Sequence, residues 1–304
     1  LPDKTFAEGV LFFPVTPFDA SDRPDLDVLA THVSSGVDAG AAGVFAACGT
    51  GEFHALSVGE YRDVVAASVA AVGGRVPVYT GAGGPLGHAR EVAKAAADAG
   101  ADGLLVMPPY LVQGPQHGLV AYVEAIAAAT DLPLVVYHRA NMQLSEATAD
   151  RIVTLPSVVG IKDGVGDIAL IQRFVLAAAR AGRDLEFFNG LLTAELSQGA
   201  YRAIGVPRYS SAAFAMAPDI AMAFFDAYRD GDDERQRMLL DGFYVPLVRL
   251  RDETPGFAVS LIKAGLRLGG VDVGSVRPPL ADPTSEQEER LRALLEHGRE
   301  LIAR

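Results

Sequence analysis

The run Val158-Val159-Gly160-Ile161 has the continuous apolar character of a buried strand, and it ends on a lysine, Lys162. Asp163 and the turn Gly164-Val165-Gly166 follow directly. The chain carries only four lysines, Lys4, Lys94, Lys162 and Lys263, and takes its other basic residues as arginine. An amine can lose its proton at moderate pH, whereas a guanidinium cannot. Burial strips an ammonium of hydration and lowers its pKa, and the neutral amine attacks carbonyls. Lys162 is therefore a candidate imine-forming nucleophile. The plainer alternative is a solvated lysine just past a strand end, or one paired with Asp163.

Other polar residues end similar apolar runs. Tyr137 closes "LPLVVYHR", and a phenol beside an amine can relay protons during imine formation. His138 follows on the opposite face of the strand, because successive side chains alternate. Arg139 comes next, with two N–H groups suited to a carboxylate. In "CGTGEF" (48–53), Gly49, Thr50 and Gly51 can offer backbone N–H groups and a hydroxyl to a carboxylate, with Glu52 holding the loop. Thr16, Tyr110, Asn189-Gly190 and Ser210-Ser211 are the remaining strand-end candidates. Cys48 reads better as a small buried thiol than as a nucleophile.

These residues need elements to position them. Eight β-rich runs recur at roughly 25–35-residue intervals, with Ala-rich helical segments such as "HAREVAKAAADAGA" (88–101) between them. Several runs are apolar throughout rather than alternating, as strands buried on both faces of a parallel sheet are. Eight such units predict an α/β fold of (β/α)8 TIM-barrel type over residues 1–215, with a doubly wound open sheet as the alternative. Residues 216–304 predict a helical C-terminal extension packed on the barrel. Its last helix is expected to be capped by Ser285, with Glu288 three residues on.

Composition narrows the function. Half of the 304 residues are apolar, and the formal net charge is −12. Binding a phosphate backbone needs clustered Lys and Arg, so nucleic acid is not an expected partner. No run is long enough for a spanning helix, so no membrane is expected. With one cysteine and no apolar leader in "LPDKTFAEGV", a cytoplasmic, reducing setting is expected. "GAGGPLG" (81–87) misses the dinucleotide spacing, and the six histidines show no metal-ligand spacing.

Taken in order, "FPVTPF", "GTGE", "PPY", a strand-end tyrosine and "GIKD" resemble the class I, lysine-dependent aldolase and dehydratase family, which includes dihydrodipicolinate synthase and N-acetylneuraminate lyase. The resemblance covers essentially the whole chain, "LIKAGL" near the C-terminus included. It implies a (β/α)8 barrel, usually in a homotetramer (or dimer), acting on a small-molecule 2-keto acid or dicarboxylate substrate with no cofactor beyond the covalent imine. "FAACGTGEFHAL", "VVYHRAN", "GIKDGVGDI" and "YSSAAFAMAP" are most similar to the branch that dehydrates and decarboxylates 5-dehydro-4-deoxyglucarate. His138 and Ala140 depart from that branch, where Asn and Asp are usual. Met142, five residues after Tyr137, departs from the arginine of the synthases. The resemblance implies Lys162 as the Schiff-base lysine, Tyr137 and Thr50 as the proton relay, and Gly49 with Thr50 at the keto-acid carboxylate. Gly51, Gly190, Arg139, Asn141, Ser210 and Ser211 would line the substrate, and Tyr110 would reach a neighbouring subunit's site. A pyruvate-dependent aldolase, another 2-keto-acid lyase and a non-catalytic homologue are the competing readings.

Overall fold

The computed structural model describes residues 6–303, so residues 1–5, where part of the leader reading falls, and Arg304 lie outside it. Eight parallel strands close into a barrel in sequence order. They are β1 (Val10–Phe12), β2 (Ala41–Ala46), β3 (Val78–Ala82), β4 (Gly103–Val106), β5 (Leu134–His138), β6 (Val158–Asp163), β7 (Glu186–Asn189) and β8 (Arg208–Ser211). The apolar runs predicted them because both faces are buried, the inner by the lumen and the outer by helices. Most strands are shorter than their runs, while β6 matches the run "VVGIKD" (158–163) residue for residue. The surplus residues, among them 13–18 and 47–52, leave the sheet at its C-terminal end and form the loops around the mouth.

Around the barrel lie α1 (Leu26–Asp38), α2 (Val58–Val72), α3 (Leu86–Asp98), α4 (Gln116–Ala127), α5 (Glu146–Ile152), α6 (Ile168–Arg180), α7 (Gln198–Ala203) and α8 (Pro218–Asp230). Local chemistry starts and stops them. Ser57 and Glu60 form a reciprocal capping box on α2, and Gly73 ends that helix in the left-handed conformation. Beyond α8 come α9 (Asp233–Leu239), α10 (Val245–Arg251), α11 (Phe257–Leu268) and α12 (Ser285–Ile302). Within the predicted helical extension, a π-helical turn, Leu240–Tyr244, joins α9 to α10, just ahead of Pro246, which has no N–H for a regular helix. No helix among the described residues is long and apolar enough to cross a membrane.

The expected cap of α12 is off by one residue. Thr284, not Ser285, accepts the Gln287 N–H, and the Gln287 side chain returns a bond to the Thr284 N–H. Both frames place a hydroxyl three residues before an acceptor side chain, and only the backbone conformation at Thr284 decides between them. Thr284→Ala should lower unfolding stability by about 1 kcal/mol in a urea titration, and Ser285→Ala by much less.

Candidate active site

Ladder register sets the site. Tyr137 on β5 pairs with Lys162 on β6, and Lys162 pairs with Phe188 on β7, so three neighbouring strands aim these side chains to the same side. The Lys162 amine lies 3.7 Å from the ring centre of Phe13, 4.5 Å from that of Tyr137 and 5.9 Å from that of Phe188. Its residue is 5% exposed, and among the described residues no carboxylate or hydrogen-bond acceptor meets it. Burial pulls its pKa down from the ordinary 10.5 to about 7. Pairing with Asp163 is ruled out by the alternation of the strand. The Asp163 carboxylate faces away, accepting N–H groups from Val165 and Gly166 and the hydroxyl of Tyr201. Those bonds turn the chain from β6 toward α6.

Tyr137 is held from two sides. Its hydroxyl donates to the Gly190 carbonyl at 3.1 Å and accepts from Arg139 Nη1 at 2.8 Å. Burial raises its pKa, and the Arg139 cation partly offsets that. Gly190 has a steric role as well. A Cβ there would stand 2.2 Å from Lys162 Cε and 2.5 Å from Cγ, so only glycine leaves room for the lysine stem.

A cavity of about 440 Å³ opens above the lysine. Gly49, Thr50, Tyr137, Arg139, Asn141, Lys162, Gly190 and Ser210 line it, and so does Tyr110, which was expected at a neighbouring subunit's site. The N–H groups of Gly49 and Thr50 meet no acceptor among the described residues, which suits them to an anion. Thr50 makes no hydrogen bond to Tyr137, so the relay between them is not preformed.

Two predicted residues lie elsewhere. Ser211, one residue beyond Ser210, points out of the lumen, where its hydroxyl bonds Glu195 and accepts the Phe214 N–H. Strand alternation makes it impossible for both serines to face the substrate. Gly51 is buried behind the loop, and its carbonyl accepts from Thr16 Oγ1 at 2.7 Å. It shapes the turn and does not line the cavity. Tyr110 packs on Gly84 at the rim of its own chain's cavity. The residue that projects is its neighbour Leu111, fully exposed in a left-handed conformation with φ 66°.

Sequence reading missed several lining groups. His54 reaches the cavity from the 3₁₀ turn Phe53–Ala55, and Gly256, Ala258, Val259 and Leu280 reach it from the C-terminal extension. Partial burial lowers the His54 pKa. His138, as expected, faces outward, accepting the Leu144 N–H at Nδ1 and packing edge-on against Phe174. Cys48 is fully buried, which pushes its thiol up to about 12 and leaves it protonated.

A model of the dihydrodipicolinate synthetase family matches residues 6–298. A protein of Streptomyces griseus subsp. griseus named as a probable 5-dehydro-4-deoxyglucarate dehydratase is 52% identical over 297 residues, 97% of this chain and 93% of that one. A Streptomyces coelicolor relative with the same printed activity is 51% identical, covering 98% of this chain and 95% of its own length. A dihydrodipicolinate synthase structure from Bacillus anthracis superposes with a TM-score of 0.86 at 26% identity, over 96% of this chain and 99% of the other.

Two outcomes follow from this geometry. Gly190→Ala should leave a folded barrel by circular dichroism yet cut imine formation by about 100-fold, because the added methyl displaces the lysine. Burying Lys162 opposes folding while the group is charged. The folded state gives up this proton near pH 7 and the unfolded state near pH 10.5, so the penalty is full below pH 7 and shrinks as pH rises between them. Lys162→Met should therefore raise Tm, by most at pH 6 and by progressively less toward pH 10. An unchanged Tm across that range would contradict the burial.

Proposed function

Since the chain belongs to the dihydrodipicolinate synthetase family, we propose that it carries out the decarboxylating dehydration of 5-dehydro-4-deoxyglucarate to 2,5-dioxopentanoate, water and carbon dioxide. The observation that carries the chemistry is the desolvated Lys162 amine, which meets no carboxylate among the described residues and lies 4.5 Å from the centre of the Tyr137 ring. The observation that carries the substrate is the identity to the two named dehydratases.

In this reading Gly49 and Thr50 take the carboxylate next to the ketone. Lys162 attacks the ketone carbon, and Tyr137 gives its phenolic proton to the carbinolamine oxygen, which leaves as water. The iminium makes the adjacent methylene acidic, and the Tyr137 phenolate, stabilised by Arg139, removes one of its protons. The enamine then expels the β-hydroxyl, which Tyr137 reprotonates as it departs. The new double bond conjugates with the iminium, so the bond to the far carboxylate can break and release carbon dioxide, its electrons ending on nitrogen. Reprotonation of the carbon chain and hydrolysis of the imine free the product and Lys162. In the same reading Arg139, Asn141 and Ser210, which line the cavity, hold the distal hydroxyls and carboxylate. The lysine itself is the electron sink, so the reaction needs no cofactor.

The same proposal extends to self-assembly in a reducing compartment. Tyr110, Leu111 and Val112 present exposed apolar surface beside the mouth, with Leu111 fully exposed and Val112 61% exposed. The single thiol is buried and unpaired.

Incubation with 5-dehydro-4-deoxyglucarate and sodium borohydride, followed by peptide mapping, should show an adduct on Lys162 that has lost the elements of water and carbon dioxide. Lys162→Ala should give no adduct and no turnover. A pyruvate-mass adduct instead would replace the dehydratase reading with an aldolase, and no adduct from either compound would remove the imine mechanism.

A further inference from the structure

Glu52 ends the loop that carries Gly49 and Thr50, and Lys263 sits in the middle of α11. Both side chains are 0% exposed, and they form an ion pair at 2.6 Å. Neither lines the cavity. The Lys263 amine also donates to the Ser275 carbonyl at 2.9 Å and lies 4.2 Å from the centre of the Phe18 ring. The other Glu52 oxygen accepts the Arg277 N–H at 2.8 Å. The Arg277 side chain continues the clasp, donating to the Ala55 carbonyl and pairing with Glu60 on α2. The C-terminal extension thus grips the β2–α2 connection from behind.

Stability does not explain such a pair. Replacing a buried ion pair by apolar groups of similar volume is often neutral or favourable, because desolvating both charges costs about what their attraction returns. What distinguishes this pair is the backbone it holds. Ala47 and Glu52 both stand in the left-handed region, with φ of 46° and 55°, on either side of residues 48–51. Residues other than glycine rarely adopt that conformation unless their surroundings impose it. The two strained positions bracket the N–H groups that are free for an anion.

We infer that the Glu52–Lys263 ion pair is a positioning device that sets the Gly49–Thr50 N–H groups at the keto-acid carboxylate, so that the C-terminal helices govern substrate affinity without touching substrate. The inference rests on the proposed function for the identity of the anion. The imine itself needs only Lys162, so the device acts on carbonyl compounds that carry an adjacent carboxylate and is indifferent to those that do not.

The test compares the doubly substituted Glu52→Gln/Lys263→Met protein with the parent, using borohydride trapping mapped to Lys162. Pyruvate is one probe and acetaldehyde, which has no carboxylate, is the other. The half-saturating pyruvate concentration should rise about tenfold or more, while the saturating rate and acetaldehyde trapping stay within about twofold of the parent. Glu52→Gln alone, which keeps an acceptor for the Arg277 N–H, is the second variant should the double one fail to fold. It should show the same split at smaller size. Unchanged pyruvate saturation, or a parallel loss with both probes, would overturn the inference. If the parent itself traps neither probe, the reading of Lys162 fails. Amide hydrogen exchange then decides the positioning on its own: the loop's hydrogen-bonded Glu52 and Phe53 N–H groups should exchange faster in the variant while β5 and β6 do not, and equal exchange would overturn it.

Discussion

The structure turns on keeping one amine out of water without giving it a counter-ion. An ammonium at the Lys162 position faces the rings of Phe13, Tyr137 and Phe188, and no carboxylate among the described residues. In that setting the charged form loses hydration that nothing fully restores, and the neutral, nucleophilic form becomes accessible near neutrality. Much of the surrounding architecture follows from that requirement. The barrel must close so that the lumen is dry. Gly190 must lack a side chain so that the lysine stem can pass. The one acid next to the lysine in sequence, Asp163, must be turned outward and fully occupied by its own loop and Tyr201.

The second buried lysine shows the opposite solution to the same problem. Burial lowers the Lys263 pKa as well, and the Glu52 carboxylate at 2.6 Å offsets part of that shift. One amine is left unpaired and serves as a reagent, and the other is paired and serves as a fixing point. Both interrupt apolar runs, "GIKD" and "LIKAGL", and only the place of Lys162 at a strand end marks it out in the sequence. The difference lies in what the fold places opposite each one.

That contrast marks how far the chain could be read before its structure was known. The eight strands were legible because strands buried on both faces leave continuous apolar runs, and the reactive lysine was legible because it breaks such a run at the end that faces the mouth. Most lengths were not legible, since the residues following many of the strands are nearly as apolar as the strand itself, and β6, which ends on Lys162 and Asp163, is the exception. Ser210 and Ser211 looked equivalent in sequence, and only the phase of the β8 pleat turns one inward and the other to Glu195. The contribution of α11 and Leu280 to the cavity was hidden because it depends on how a distant segment packs across the mouth. The Lys263 signal was present, a charge inside the apolar stretch "LIKAGL", but its partner lies more than two hundred residues away.

The central claim is that the fold itself makes Lys162 an amine that titrates near neutrality. With four lysines in the chain, selective carbon-13 labelling at lysine Cε resolves them, and Lys162→Arg identifies the relevant signal. A pH titration of that signal by NMR should give a midpoint near 7, far below the ordinary lysine value. A midpoint at about 10.5, where an exposed lysine titrates, would contradict the account, because an amine that stays charged at neutral pH is not the nucleophile this site is built around.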